Sequence, residues 1–147
     1  MLVLISIHVA STLFMVGLIW FVQVVHYPLF ADVGPSHFET YERHHQRLTT
    51  WVVGPVMLVE VITAAVLLTT QPGIAAGLQW VGLVLLLLIW ACTAGLSVPA
   101  HRELECGFRL DAWRRLVTTN WIRTAAWTLR GGIVLVLLQK VMTGANS

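Results

Sequence analysis

Four long apolar runs divide the chain, at about residues 2–27, 48–70, 74–98 and 116–139, and only the connections 29–47 and 100–115 carry charge in quantity. Each run is near or above the roughly 20 residues that a helix needs to cross a bilayer. Lipid offers no partner to a free peptide group, so these runs predict helices, and no alternating strand pattern is present for a barrel. The predicted fold class is all-α: an integral membrane, antiparallel four-helix bundle forming a single transmembrane domain over 1–147.

The few polar positions inside the runs recur at helical steps. In the first, His8, Thr12, Met15, Ile19, Gln23 and His26 share one face. His8 and His26 are separated by about 27 Å of helix axis, which puts them at opposite membrane surfaces. Tyr27 and Pro28 end that run at the interface. Pro35, followed by Ser36 and Glu39 at capping-box spacing, predicts a helix start whose periodicity runs into the second span, an interfacial helical extension before it. The stripe Glu42, His45, Thr49, Val53, Val56, Glu60, Thr63 and Leu67 then faces the bundle. The short link Gln71-Pro72-Gly73 leads into the third run, which is the most purely apolar and ends at Ser97, Pro99 and His101. Gly107 breaks the connection that follows, and Asp111 is a candidate cap for the last helix. In the fourth run Trp113, Leu116, Asn120, Arg123, Trp127 and Arg130 form one face, and the residues show no internal repeat.

Composition sharpens the membrane reading. Of 147 residues 57% are hydrophobic and 11% charged, against about 25% charged in soluble domains, and the mean hydropathy is +0.78. The net charge of +2 comes from arginines beside the membrane and gives no case for nucleic acid. The first run lacks a basic leader and a cleavage site, so it is expected to be a retained helix. Cys92 and Cys106 are expected to be free thiols. Arg43, Arg47, Arg102, Arg109, Arg114 and Arg115 all fall in the two charged connections, which the positive-inside rule makes cytoplasmic, with the termini outside; the expected location is a bacterial inner membrane. Gly131-Gly132 with Ala125 and Ala126 suit close packing in a homo-oligomer or a larger membrane complex.

Candidate chemistry lies at two depths. An arginine at mid-membrane costs roughly 2.5–3.5 kcal/mol on insertion scales, so Arg123 and Arg130 need partners or a wet cavity. Arg130 lies about 21 Å from the charged surface and Glu60 about 18 Å, a depth match that predicts a buried ion pair. Arg123, about 10 Å deep, has no such carboxylate and is expected with Asn120 to line a cavity and contact an anionic or lipid-soluble small molecule. Alternating helix directions gather His26, His37, His44, His45 and His101 at the charged end, with Glu39, Glu42, Glu103 and Glu105. Imidazoles and carboxylates are ligands for iron, copper or zinc, and two axial histidines also hold haem. The candidate metal set is His26, His44 or His45, and His101, with Glu42 as ligand or proton acceptor. Glu42-x-x-His45 matches half of a di-iron carboxylate motif, whose second half is missing. Equally, histidines at helix ends serve as interfacial hydrogen bonders, and a buried ion pair serves simply to dock helices.

Through His-Tyr-Pro-Leu-Phe at 26–30 and Asn-Trp-Ile-Arg-Thr-Ala-Ala-Trp-Thr-Leu-Arg at 120–130, the chain resembles small four-helix bacterial integral membrane proteins without an assigned activity. The resemblance implies the layout of spans and transfers no substrate, cofactor or catalytic residue. Two functions follow from the residues: a metal- or haem-binding membrane oxidoreductase with Glu42, Arg123 and Asn120 at its active site, or a non-catalytic subunit or small transporter in which Glu60, Arg130 and Arg123 set packing or a polar path. Membrane lipid is a partner in either.

Overall fold

A computed structural model describes residues 1–71, 73 and 75–144; Pro72 in the predicted link and Ile74 at the start of the predicted third run lie outside the described residues. The elements are α1 (Leu2–Phe21), a π-helical turn (Val22–His26), a 3-10 turn (Pro28–Asp32), α2 (Pro35–Thr70), α3 (Ala76–Cys92), a second π-helical turn (Thr93–Ser97), α4 (Val98–Leu104) and α5 (Leu110–Gly144). They form four rods long and apolar enough to cross a membrane, Leu2–Asp32, Pro35–Thr70, Ala76–Leu104 and Leu110–Gly144, and no strand occurs among the described residues. The outer surface is apolar, with Val3, Ile62, Val84, Leu87 and Leu129 exposed to the surroundings. Of the tryptophans, Trp20, Trp51, Trp80, Trp90 and Trp121 also face outward and Trp127 is fully buried.

The extension before the second span is present, since α2 is one continuous 36-residue helix. At about 1.5 Å per residue it is about 54 Å long, well beyond the bilayer's apolar core. Its cap differs from the expected one: Gly34 is the N-cap, Pro35 opens the first turn, and Ser36 makes no capping bond because it already lies inside the helix. Asp111 likewise sits within the first turn of α5, where its charge suits the helix dipole. Gly107, at φ +117°, makes the turn between α4 and α5, a conformation that only glycine adopts cheaply.

α5 is the hub, packed along both α1 and α3, whereas α2 packs on α1, only lightly on α3, and never brings its backbone close to α5. Gly131 permits the α1–α5 approach, since a Cβ there would come within 3.2 Å of Val16 Cγ2. Apolar side chains fill three layers: Phe30, Phe38, Leu104 and Leu116 at the charged end, Met15, Ile89 and Trp127 in the middle, and Ile5, Leu67 and Val134 at the far end.

A repeat hidden in the residues shows in the backbone. The first and third rods each carry a π-helical turn followed by a proline at the same offset, Pro28 and Pro99. In both, the residue before the proline donates its N–H to the carbonyl five positions back, Tyr27 to Val22 and Val98 to Thr93. Proline has no N–H and breaks the ordinary ladder, and the wide turn inserts one residue, about 100° of rotation, into the register. Gln23 and Tyr27 in one rod, and Ser97 and His101 in the other, are thereby buried. Glu60 then follows Pro28 by 32 residues and Arg130 follows Pro99 by 31. The bundle is two similar helical hairpins, joined by a tight α1–α5 seam on one side and a loose α2–α3 seam on the other.

Candidate functional site

Two buried polar centres are stacked along the bundle. The deeper one is built on Glu60 and Arg130, respectively 0% and 1% exposed, whose side chains bridge the bundle diagonally between helices whose backbones do not approach each other closely. Glu60 Oε1 accepts from Arg130 Nε at 3.0 Å, with Nη2 2.8 Å away, and from Thr12 Oγ1 at 2.8 Å. Its Oε2 accepts from Trp127 Nε1 at 3.2 Å, and Arg130 Nη1 donates to the Gly82 carbonyl. Beside it, the Thr63 hydroxyl donates to the Val59 carbonyl at 2.7 Å and so accepts from His8 Nδ1, also at 2.7 Å. His8 is therefore buried among these groups, six residues after the start of α1. Both carboxylate oxygens are engaged, and the void at this level is only about 20 Å³.

The second centre lies under the charged end. The two π-helical turns and the first turns of α2 bring Tyr27, Glu42, His45 and His101 together below the phenylalanines of the end layer. Glu42, 0% exposed, holds His101 Nδ1 at 2.5 Å through Oε1, which also accepts from Gln46 at 3.1 Å. The opposite nitrogen, His101 Nε2, lies 3.1 Å from the Tyr27 hydroxyl. His26 Nε2 and His45 Nδ1 are 2.8 Å apart, and the rings of His45 and His101 are centred 5.3 Å from each other. Glu42 Oε2 is buried with no hydrogen-bond partner.

Arg123 joins this centre from α5. It is 7% exposed, and its Nη1 donates to Ser97 Oγ at 3.0 Å and Asn120 Oδ1 at 3.2 Å, while its guanidinium carbon lies 5.4 Å from the centre of the Trp127 ring. Its Nε is buried without a partner, and no carboxylate pairs with it among the described residues. Neutral acceptors and a cation–π contact of about 0.5–2 kcal/mol do not replace a counter-charge for a buried arginine. The guanidinium faces a cavity of about 250 Å³ in the loose α2–α3 seam. The inner side of that cavity carries Tyr27, His45, Met57, Ser97, His101 and Arg123, and its more exposed side carries Thr50, Val53, Trp90 and Val98.

The structure thus brings together Glu42, Arg123, His26, His45 and His101 of the predicted set. Asn120 is fully buried behind Arg123, bonded to Gln23 Oε1 at 2.9 Å, and orients the guanidinium without lining the cavity. His44 is exposed and takes no part in the hydrogen-bonded cluster; with His26, His45, Phe21 and Leu48 it lines a second, mostly apolar cavity of about 470 Å³ that adjoins the first at His45. Among the described residues no three His, Cys, Asp or Glu side chains are arranged to hold a metal ion. Tyr27, Gln46 and Ser97 were not foreseen as site residues. For Tyr27 and Ser97, one and two residues before Pro28 and Pro99, the prolines are the signal, since a proline deep in a helix rearranges the turn that precedes it; Gln46 carries no such mark. Cys92 and Cys106 are free. No protein family matches the chain, and neither a curated protein nor a solved structure shows significant similarity to it.

Proposed function

We propose that the protein binds a lipid-soluble small molecule with an anionic polar end, which reaches the cavity through the α2–α3 seam and places its charge on Arg123. The observation that carries this reading is a buried arginine that no carboxylate pairs with among the described residues, facing a cavity whose remaining lining mixes threonines with Val53, Met57, Trp90 and Val98. Intramembrane charges that face a cavity mark ligand sites far more often than packing. An amphiphile matches both walls: its chain covers Val53, Met57 and Trp90 while its head supplies the missing negative charge. The arginine-rich end is assigned to the cytoplasmic face of a bacterial inner membrane, so the head sits nearer that face.

The test is binding of cis-parinaric acid, a fluorescent long-chain fatty acid, to the purified protein in nanodiscs. Saturable binding is expected in the wild type, with at least tenfold weaker binding in Arg123→Gln and for the corresponding fatty alcohol. Unchanged binding in Arg123→Gln would sink the reading. A second reading, a metal or haem oxidoreductase using His26, His45 and His101, draws on the closeness of three imidazoles. A visible spectrum and metal analysis of the purified protein decide it, since stoichiometric iron, copper or zinc would establish that centre.

A further inference from the structure

We infer that Glu42, His101 and Tyr27 form an acid–base line that acts on the molecule held at Arg123, with the Tyr27 hydroxyl as the catalytic group. The inference rests on the binding reading above and adds a reaction to it.

The three residues lie in an order with chemical meaning. A carboxylate occupies Nδ1 of an imidazole and a hydroxyl occupies Nε2, at 2.5 Å and 3.1 Å. With Glu42 ionised, Nδ1 carries the proton and donates it to the carboxylate, which leaves Nε2 as the acceptor of the Tyr27 O–H. This is the arrangement by which a carboxylate fixes the tautomer of a histidine so that the histidine can take a proton from a hydroxyl. Gln46 reinforces it, since its Nε2 contacts both Glu42 Oε1 and, at 3.4 Å, the His101 carbonyl. The Tyr27 ring is fixed from its backbone, whose carbonyl accepts from Trp113 Nε1 at 2.8 Å.

The line has an inner and an outer end. Glu42 is buried completely, and its second oxygen has no partner. Tyr27 and His101 line the Arg123 cavity. A few turns deeper both oxygens of Glu60 are occupied, so the free oxygen of Glu42 sets this carboxylate apart from the one that docks the helices.

The chemistry balances without a redox partner. A C–H bond next to a carbonyl in the bound head breaks, and its electron pair moves onto the carbonyl oxygen beside Arg123. The proton lands on the Tyr27 oxygen as the hydroxyl proton passes to His101 Nε2, giving an imidazolium that Glu42 holds. Return of a proton from solvent to the same carbon re-forms the C–H bond and produces exchange. The substrate class is a long-chain acid or ketone with an enolisable carbonyl near its polar end.

The experiment uses the full chain in nanodiscs and a long-chain β-keto fatty acid, with binding read by tryptophan fluorescence and exchange of its acidic methylene protons in D2O read by NMR. Wild type is expected to bind the probe and to accelerate exchange. Tyr27→Phe and Glu42→Gln should lower the exchange rate at saturating probe about a hundredfold with helix content unchanged, and Glu42→Asp should restore part of it. Arg123→Gln should lose binding. Binding without acceleration in the wild type, or full acceleration in Tyr27→Phe, would overturn the acid–base line and leave the binding site standing. No binding of either fatty acid to the wild type would overturn both.

Discussion

The same helix carries two buried arginines two turns apart, and their surroundings are opposite. Arg130 meets a carboxylate, a backbone carbonyl and a wall of side chains that leaves almost no void. Arg123 meets a serine, an asparagine, an aromatic face and a cavity. Glu60 and Glu42 differ in the same way: each is fully buried, but only Glu60 has both oxygens occupied. Each arginine leaves one buried nitrogen outside a well-formed hydrogen bond, so what separates the two centres is the counter-charge of Arg130 and the occupied second oxygen of Glu60, more than burial.

The contrast can be broken most directly at the deeper centre. Arg130→Ala or Glu60→Ala should destabilise the protein by about 3–5 kcal/mol, because each strands an opposite charge in the core. Thermal unfolding in detergent micelles measures this, and the pair Glu60→Leu with Arg130→Met should recover much of the loss. Milder changes in both single variants would contradict the reading of Glu60 and Arg130 as the lock between α2 and α5.

At the upper centre the sign should reverse. Arg123→Leu removes an uncompensated cation, so the unfolding midpoint should hold or rise while cis-parinaric acid binding disappears, the trade expected of a site kept for function. A drop comparable to that of Arg130→Ala would place Arg123 with the structural pair. A smaller effect is expected beside the deep centre, where Thr63→Val removes the partner of His8 Nδ1 and should cost about 1–3 kcal/mol. The smallest belongs to the surface: Arg115 and Glu103 lie 2.6 Å apart but exposed, and Arg115→Ala should change stability by less than about 1 kcal/mol.

Much of this was legible before any coordinates. Run lengths fixed the spans, depth counting matched Glu60 with Arg130, and its failure to find a carboxylate for Arg123 pointed to the cavity. Helical steps placed Asn120 on the right face but could not say that it stands behind Arg123 instead of beside it. Spacing alone left His44 and His45 as alternatives, and adjacent residues on a helix point about 100° apart, so only one could face the bundle. Tyr27 was the largest omission. Its inward position depends on a single inserted residue at Val22–His26, and no regular period carries an insertion across a break. The same irregularity hid the two-hairpin repeat, which survives in the placing of prolines and opposite charges and not in residue identity.

The diagonal Glu60–Arg130 bridge also bears on how the chain is made. The last rod is the least apolar of the four, and it alone carries two arginines inside its apolar run. It emerges from the ribosome after the first hairpin has been synthesised, so a carboxylate and a receptive groove on α1 precede the arginines into the bilayer. Membrane insertion of α5 is therefore an assembly step in which earlier spans serve as the solvent for the last one, and translation order belongs among the determinants of this fold.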